Sequence, residues 1–131
     1  MTRLCFALVL AALGGSAAAA WVRVGVADDG MVVYADPAGI SRAGGIVKMW
    51  TLLDYKTAEK DDSGKLYLSA KLLHDYDCKD ERGRTRYFSF HSGRMGTGNL
   101  VYSEVRPDGG WRPARRLIIG EALWEIACGK K

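Results

Sequence analysis

Apolar residues in this chain recur mostly at every second position, the spacing of strands with one buried face. Val22, Val24 and Val26 share one side, and Asp28-Asp29-Gly30 follows as a turn whose glycine can take positive φ. Met31 to Ala35 predicts the returning strand, which Asp36-Pro37 ends because proline cannot donate to a ladder. Ala43-Gly44-Gly45 predicts the next turn, and Ile46 to Lys56 a long strand. Val47, Met49, Thr51, Leu53 and Tyr55 fall on one of its faces, with Lys48, Trp50, Leu52 and Asp54 on the other. Large apolar groups on both faces predict a central strand covered in part on each side.

Glu59 to Lys65 is polar and reads as an exposed hairpin loop. The fourth strand, Leu66 to Cys78, sets Leu66, Leu68, Ala70, Leu72, Tyr76 and Cys78 on one face and Tyr67, Ser69, Lys71, Asp75 and Asp77 on the other. Lys79 to Thr85 reads as a charged turn, and Arg86 to Ser92 and Leu100 to Val105 as two further strands. Gly93, Gly96 and Gly98 lie between those strands, in a loop that calls for unusual backbone angles. Leu117 to Cys128 alone has helical spacing. Ala122, Leu123, Ile126 and Ala127 form its apolar stripe, and Trp124 and Cys128 are neighbours at one edge of that stripe. Gly129 suits the C-cap, and Lys130 and Lys131 complement the dipole. The predicted fold is α+β: about six antiparallel strands with one C-terminal helix packed on a face.

The first twenty residues follow a different logic. Arg3 precedes an apolar run from Leu4 to Leu13, and Ala18-x-Ala20 fits the small-residue rule of signal peptidase. Residues 1–20 are therefore expected to be an export signal, and residues 21–131 a single domain. The apolar run is too short for a permanent transmembrane helix. Cys5 lies near the start of the run rather than directly after it, so the mature protein is expected to be periplasmic or secreted and without a lipid anchor. Removal of Cys5 leaves Cys78 and Cys128 as the only cysteines, and export predicts that they pair. Closing that loop is worth about 4 kcal/mol on the chain-entropy estimate.

The net charge of +4 is mildly basic. Export argues against nucleic acid as a partner and leaves acidic polysaccharide, lipid headgroups or acidic protein surfaces. Nothing in the sequence calls for a cofactor, a metal or catalysis. His74 and Asp75 are strand neighbours and so face opposite ways, and no third ligand has suitable spacing. Ser89 and His91 share a face, but no oxyanion element accompanies them. Ser92-Gly93-x-x-Gly96-x-Gly98 lacks the Lys-Ser/Thr and following helix of a phosphate loop. Two basic clusters remain. Arg82, Arg84 and Arg86 are offset by Asp80 and Glu81, whereas Arg112, Arg115 and Arg116 flank Trp111 and precede the helix. Tyr34, Trp50, Tyr55, Tyr67 and Tyr102 lie on strands, where they serve as cross-strand pairs or line a ligand groove.

Several segments in order resemble the surface-adhesin protein E family of Gram-negative bacteria. They are Trp21…Val24-Gly25, Val33-Tyr34-Ala35-Asp36, Lys48-Met49-Trp50…Asp54-Tyr55, Ser69…Lys71, Tyr76-Asp77-Cys78, Ser92 to Gly98, Trp111-Arg112-Pro113 and Gly120…Leu123-Trp124…Cys128. The resemblance covers essentially all of residues 21–131. It implies a curved antiparallel sheet whose C-terminal helix is held on the concave face by the Cys78–Cys128 disulfide. It implies dimers, and a non-enzymatic adhesin that binds vitronectin, laminin and plasminogen through exposed basic residues of a central segment. Lys56, Lys60, Lys65 and Lys71 occupy the corresponding region and join Trp111, Arg112, Arg115 and Arg116 as candidate binding residues. The expected partners are thus extracellular-matrix or other envelope proteins. The alternatives are an envelope-associated structural module and a small-molecule-binding domain that uses the aromatic face.

The pairing is directly measurable: without reductant, Ellman's reagent should find no free thiol in residues 21–131, and two thiols per chain would overturn the predicted pairing.

Overall fold

The computed structural model of the protein describes residues 20–129. The expected signal through residue 19, with Cys5, and the C-terminal Lys130 and Lys131 lie outside the described residues. Among the described residues eight strands precede one α-helix: β1 (Val22–Val26), β2 (Val32–Ala35), β3 (Ser41–Ala43), β4 (Ile46–Lys60), β5 (Leu66–Asp77), β6 (Arg82–His91), β7 (Leu100–Val105), β8 (Arg112–Pro113) and α1 (Ile118–Cys128). The sheet runs β1-β2-β4-β5-β6-β7, with β3 added to β4 and β8 to β6. Every pairing is antiparallel.

The six long strands follow the period-two pattern, and the departures have local causes. Gly44, at φ 63°, turns the chain tightly enough for β3 to pair back on β4, with Ser41 opposite Lys48 and Ala43 opposite Ile46. β6 starts at Arg82, so most of the expected charged turn is strand. Arg82 stands opposite Asp77 and Arg84 opposite Asp75, so each arginine meets a carboxylate across the ladder. β4 continues past Lys56 through a bulge between Asp54 and Glu59.

The loop after β6 closes on that bulge. Arg94 donates to the carbonyls of Tyr55 and Lys56 at 2.9 and 3.2 Å. The Met95 amide donates to Asp54 at 2.9 Å, and the Gly96 amide to Ser69 Oγ at 2.8 Å. Ser69 Oγ in turn donates to the Gly93 carbonyl at 2.6 Å. The glycine-rich loop spends its amides on its own chain, as a turn does and a phosphate cradle does not.

The helix lies on the sheet face that carries Val33, Ala35, Val47, Met49 and Tyr76, and contributes Leu123, Trp124 and Ala127 to the core. Cys78 and Cys128 are disulfide-bonded, with Cα atoms 5.6 Å apart. Trp124 is central rather than at the margin expected from the stripe, with 2 % of its surface exposed. It lies one turn before Cys128, so the disulfide draws that side of the helix onto the end of β5. Its indole N–H there donates to the Asp77 carbonyl at 3.2 Å. Gly129 closes the helix at φ 66°.

The other sheet face has a thinner cover. Leu52 is buried there, and Trp50 meets Tyr87 edge-on at 5.7 Å. Nearby, the buried Asp75 lies within 3.6 Å of Lys48 Nζ, 3.1 Å of Arg84 Nε and 3.6 Å of Arg86 Nη1. Asp75→Ala leaves the partly buried Arg84 and Arg86 facing each other beside the exposed Lys48, so it should cost about 3 kcal/mol in denaturant unfolding; a loss below about 1 kcal/mol would show the cluster to be solvent-screened.

His74 faces the helix side, with Nδ1 3.3 Å from Thr85 Oγ1 and its ring beside Tyr76. Burial pushes its imidazole down to about 4 against the weaker opposing pull of the Arg84 backbone and Asp75. The folded state therefore resists a proton that the unfolded chain takes up near pH 6.5. The stability this confers is complete above that pH and drains as pH falls toward 4. About 2 kcal/mol should be lost between pH 7 and pH 5, and His74→Gln should flatten that slope. An unchanged slope in the variant would assign the acid sensitivity elsewhere.

Candidate functional site

β8 brings the two basic clusters of the sequence together. Arg112 pairs with Gly83 and Pro113 with Arg82, and the Ala114 amide donates to the Glu81 carbonyl at 2.9 Å. The segment from Trp111 to Arg116 is thereby fixed along the start of β6. The guanidinium carbons of Arg82 and Arg84 stand 4.7 and 4.3 Å from the Trp111 ring centroid, within cation–π range. A groove of about 450 Å³ follows, lined by Trp111 with Arg82, Arg112, Arg115 and Arg116 and edged by Asp80 and Glu81.

The carboxylates beneath this face set its order. Asp77 accepts from Arg82 Nε at 3.1 Å and from the amides of Lys79 and Asp80. The Asp80 amide first, then Arg82 and the Lys79 amide, hold its carboxyl below the usual range. Arg115 donates to Glu121 at 2.7 and 3.1 Å and to Glu81 at 2.8 Å. Those bonds, the one to Glu121 foremost, raise its pKa. Arg112 and Arg116 are exposed and, among the described residues, engage no carboxylate. The face thus combines arginines already fixed by carboxylates with two that meet none among the described residues.

The other candidates lie elsewhere. Lys56, Lys60 and Lys65 are exposed on the β4–β5 hairpin. Lys71 lies mid-strand in β5, opposite Leu52 and Ser89, and is half-buried. These lysines share no groove with Trp111. Ser89 Oγ and His91 Nε2 are 2.8 Å apart, but Ser89 is only 3 % exposed, which leaves its hydroxyl no approach for a substrate. Burial, then the charge of Lys71, lowers the His91 pKa. Among the described residues no group of three or more His, Cys, Asp or Glu is placed to hold a metal, and no helix is long and apolar enough to cross a membrane.

The offset expected from Asp80 is present, since Arg82 Nη2 lies 3.7 Å from its carboxylate. The structure in addition sets Arg82 and Arg84 on Trp111. The signal was present as matched alternation: Asp75-Tyr76-Asp77 and Arg82-Gly83-Arg84 flank one turn, so both acids and both arginines share a face.

Comparison with known proteins agrees with this architecture. Haemophilus influenzae protein E is similar at a TM-score of 0.65 and 12 % identity, with 83 % of each chain covered. A second crystal form of that protein gives 0.65 at 11 % identity, covering 83 % of this chain and 87 % of the other. Protein E from non-typeable Haemophilus influenzae gives 0.64 at 13 % identity, covering 88 % and 79 %. At such identities the likeness is one of fold. No curated protein sequence matches the chain. The family model of surface-adhesin protein E, however, matches residues 21–129, from the start of β1 through the helix cap, and the chain therefore belongs to the surface-adhesin protein E family.

Proposed function

We propose that this is an exported, non-enzymatic adhesin that holds an acidic surface of an extracellular-matrix or envelope protein against its arginine–tryptophan face. The observation that carries this is the Trp111 groove. Arg82 and Arg84 are fixed by Asp77 and Asp75 against the indole, and Arg112 and Arg116 extend beside it and, among the described residues, engage no carboxylate. Ordering long side chains is a main cost of association, and here much of that ordering exists before a partner arrives. Arginine adds planar, two-pronged recognition of carboxylate or sulfate, and tryptophan adds large contact area at low entropic cost. The hairpin residues Lys56, Lys60 and Lys65 supply further positive charge at a distance from this groove, where they would assist encounter more than they fix the docked complex.

Residues 21–131 should bind immobilised vitronectin, laminin or heparin at low ionic strength, with affinity falling steeply as salt rises. Replacing both Arg112 and Arg116 by alanine should weaken binding about tenfold by interferometry with an unchanged unfolding midpoint. Silence toward all three at low salt, or full binding by the double variant, would remove this face from the account. Protease shaving of intact cells would then separate a host partner from a periplasmic one.

A further inference from the structure

A second pocket lies away from both the helix and the Trp111 groove. Its floor is aromatic and comes from three adjacent strands. Tyr67 of β5 stacks on Phe90 of β6 at 4.1 Å and an interplanar angle of 5°. Phe88 lies 5.2 Å from Phe90, and Tyr102 of β7 lies 5.8 and 6.0 Å from those two rings. Tyr55 braces Tyr67 edge-on at 5.5 Å. The hairpin tip, through Lys60 to Ser63, forms one wall, and Glu104 and Arg106 form the other, around a volume of about 330 Å³. Tyr102 keeps 43 % of its surface exposed, which is unusual for a ring in a four-ring cluster.

We infer that this pocket binds a pyranose ring of a neutral glycan. A sugar ring has an apolar C–H face and a hydroxyl edge that both donates and accepts. The aromatic floor suits the first and the mixed rim the second. Three of the rim charges are answered within the chain, and the other two, Lys60 and Asp62, are of opposite sign, which favours a neutral ligand over an ionic one. Arg106 Nε donates to Glu104 at 2.7 Å, and Tyr102 Oη donates to the same carboxylate at 3.3 Å. Asp61 accepts from the amides of Ser63 and Lys65 and from the Ser63 hydroxyl. The cation position over the floor is already filled, since the Arg106 guanidinium carbon stands 5.1 Å from the Phe88 ring centroid. An acyl chain would fit the rings but would shut the rim groups away from water without giving them partners. A polyol over an apolar ring satisfies both.

The site is independent of the arginine–tryptophan face, and one experiment keeps the two apart. Amide chemical shifts of ¹⁵N-labelled residues 21–131 are followed during titration with cellotetraose, maltotetraose and chitotetraose, with arginine ethyl ester and octanoate as the cationic and acyl probes. At least one tetrasaccharide should shift amides in residues 60–67, 88–90 and 102–106. Tyr102→Ala should weaken that binding at least about fivefold while leaving the remaining spectrum folded. Replacing Arg112 and Arg116 should leave it unchanged. No shift with any tetrasaccharide, shifts with arginine ethyl ester or octanoate instead, or full affinity in Tyr102→Ala would each overturn the inference.

Discussion

The link between Cys78 and Cys128 fixes which side of the sheet becomes the interior. A long central strand such as β4 has apolar groups on both faces, Val47 and Met49 on one and Trp50 and Leu52 on the other. Hydrophobicity alone does not choose between them. The cysteine at the end of β5 shares the face of Tyr76, so joining it to the end of the helix brings Leu123, Trp124 and Ala127 onto that face. Trp124 then fills the space and binds the Asp77 carbonyl. A domain of this size buries a modest core, and a staple that also selects the packed face does more than its loop entropy suggests.

The opposite face is organised by charge. Asp75 and Asp77 sit at alternate positions of β5, and arginines on β6 stand across from them. Buried or partly buried carboxylates need partners, and the arginines that supply them are thereby held in fixed directions. Trp111 uses that order, packing against guanidiniums whose other edge is already engaged. The ion pairs thus give the arginine–tryptophan face, for which binding is proposed, its fixed arrangement.

The sheet separates two surface chemistries. Around β8 the surface is rich in arginine with a tryptophan, suited to acidic partners. Toward the β4–β5 hairpin it is a floor of stacked rings with a mixed polar rim. The glycine-rich loop between β6 and β7, which invites comparison with a phosphate site, instead closes the bulge of β4. That closure sets where the hairpin departs from the sheet, and hence where the ring pocket has its wall.

Much of the fold was written in local pattern. Period-two alternation placed the six long strands, helical spacing placed α1, and Gly129 marked its end, because each reports on one element's own geometry. The cysteine arithmetic supplied the pairing, and strand parity put Cys78 on the apolar face. The two surfaces proposed to bind were less legible. Trp111 and its neighbouring arginines stood out, but their union with Arg82 and Arg84 depends on β8, a two-residue strand with no periodicity to read. The central position of Trp124 and the joining of Tyr67, Phe88, Phe90 and Tyr102 into one floor likewise rest on contacts between elements distant in sequence. The sequence determined the six long strands and the helix because those follow from neighbours along the chain, and the staple because only two cysteines remain in residues 21–131. The tertiary structure alone decided which charges and rings meet, because register and bulges set that across the sheet.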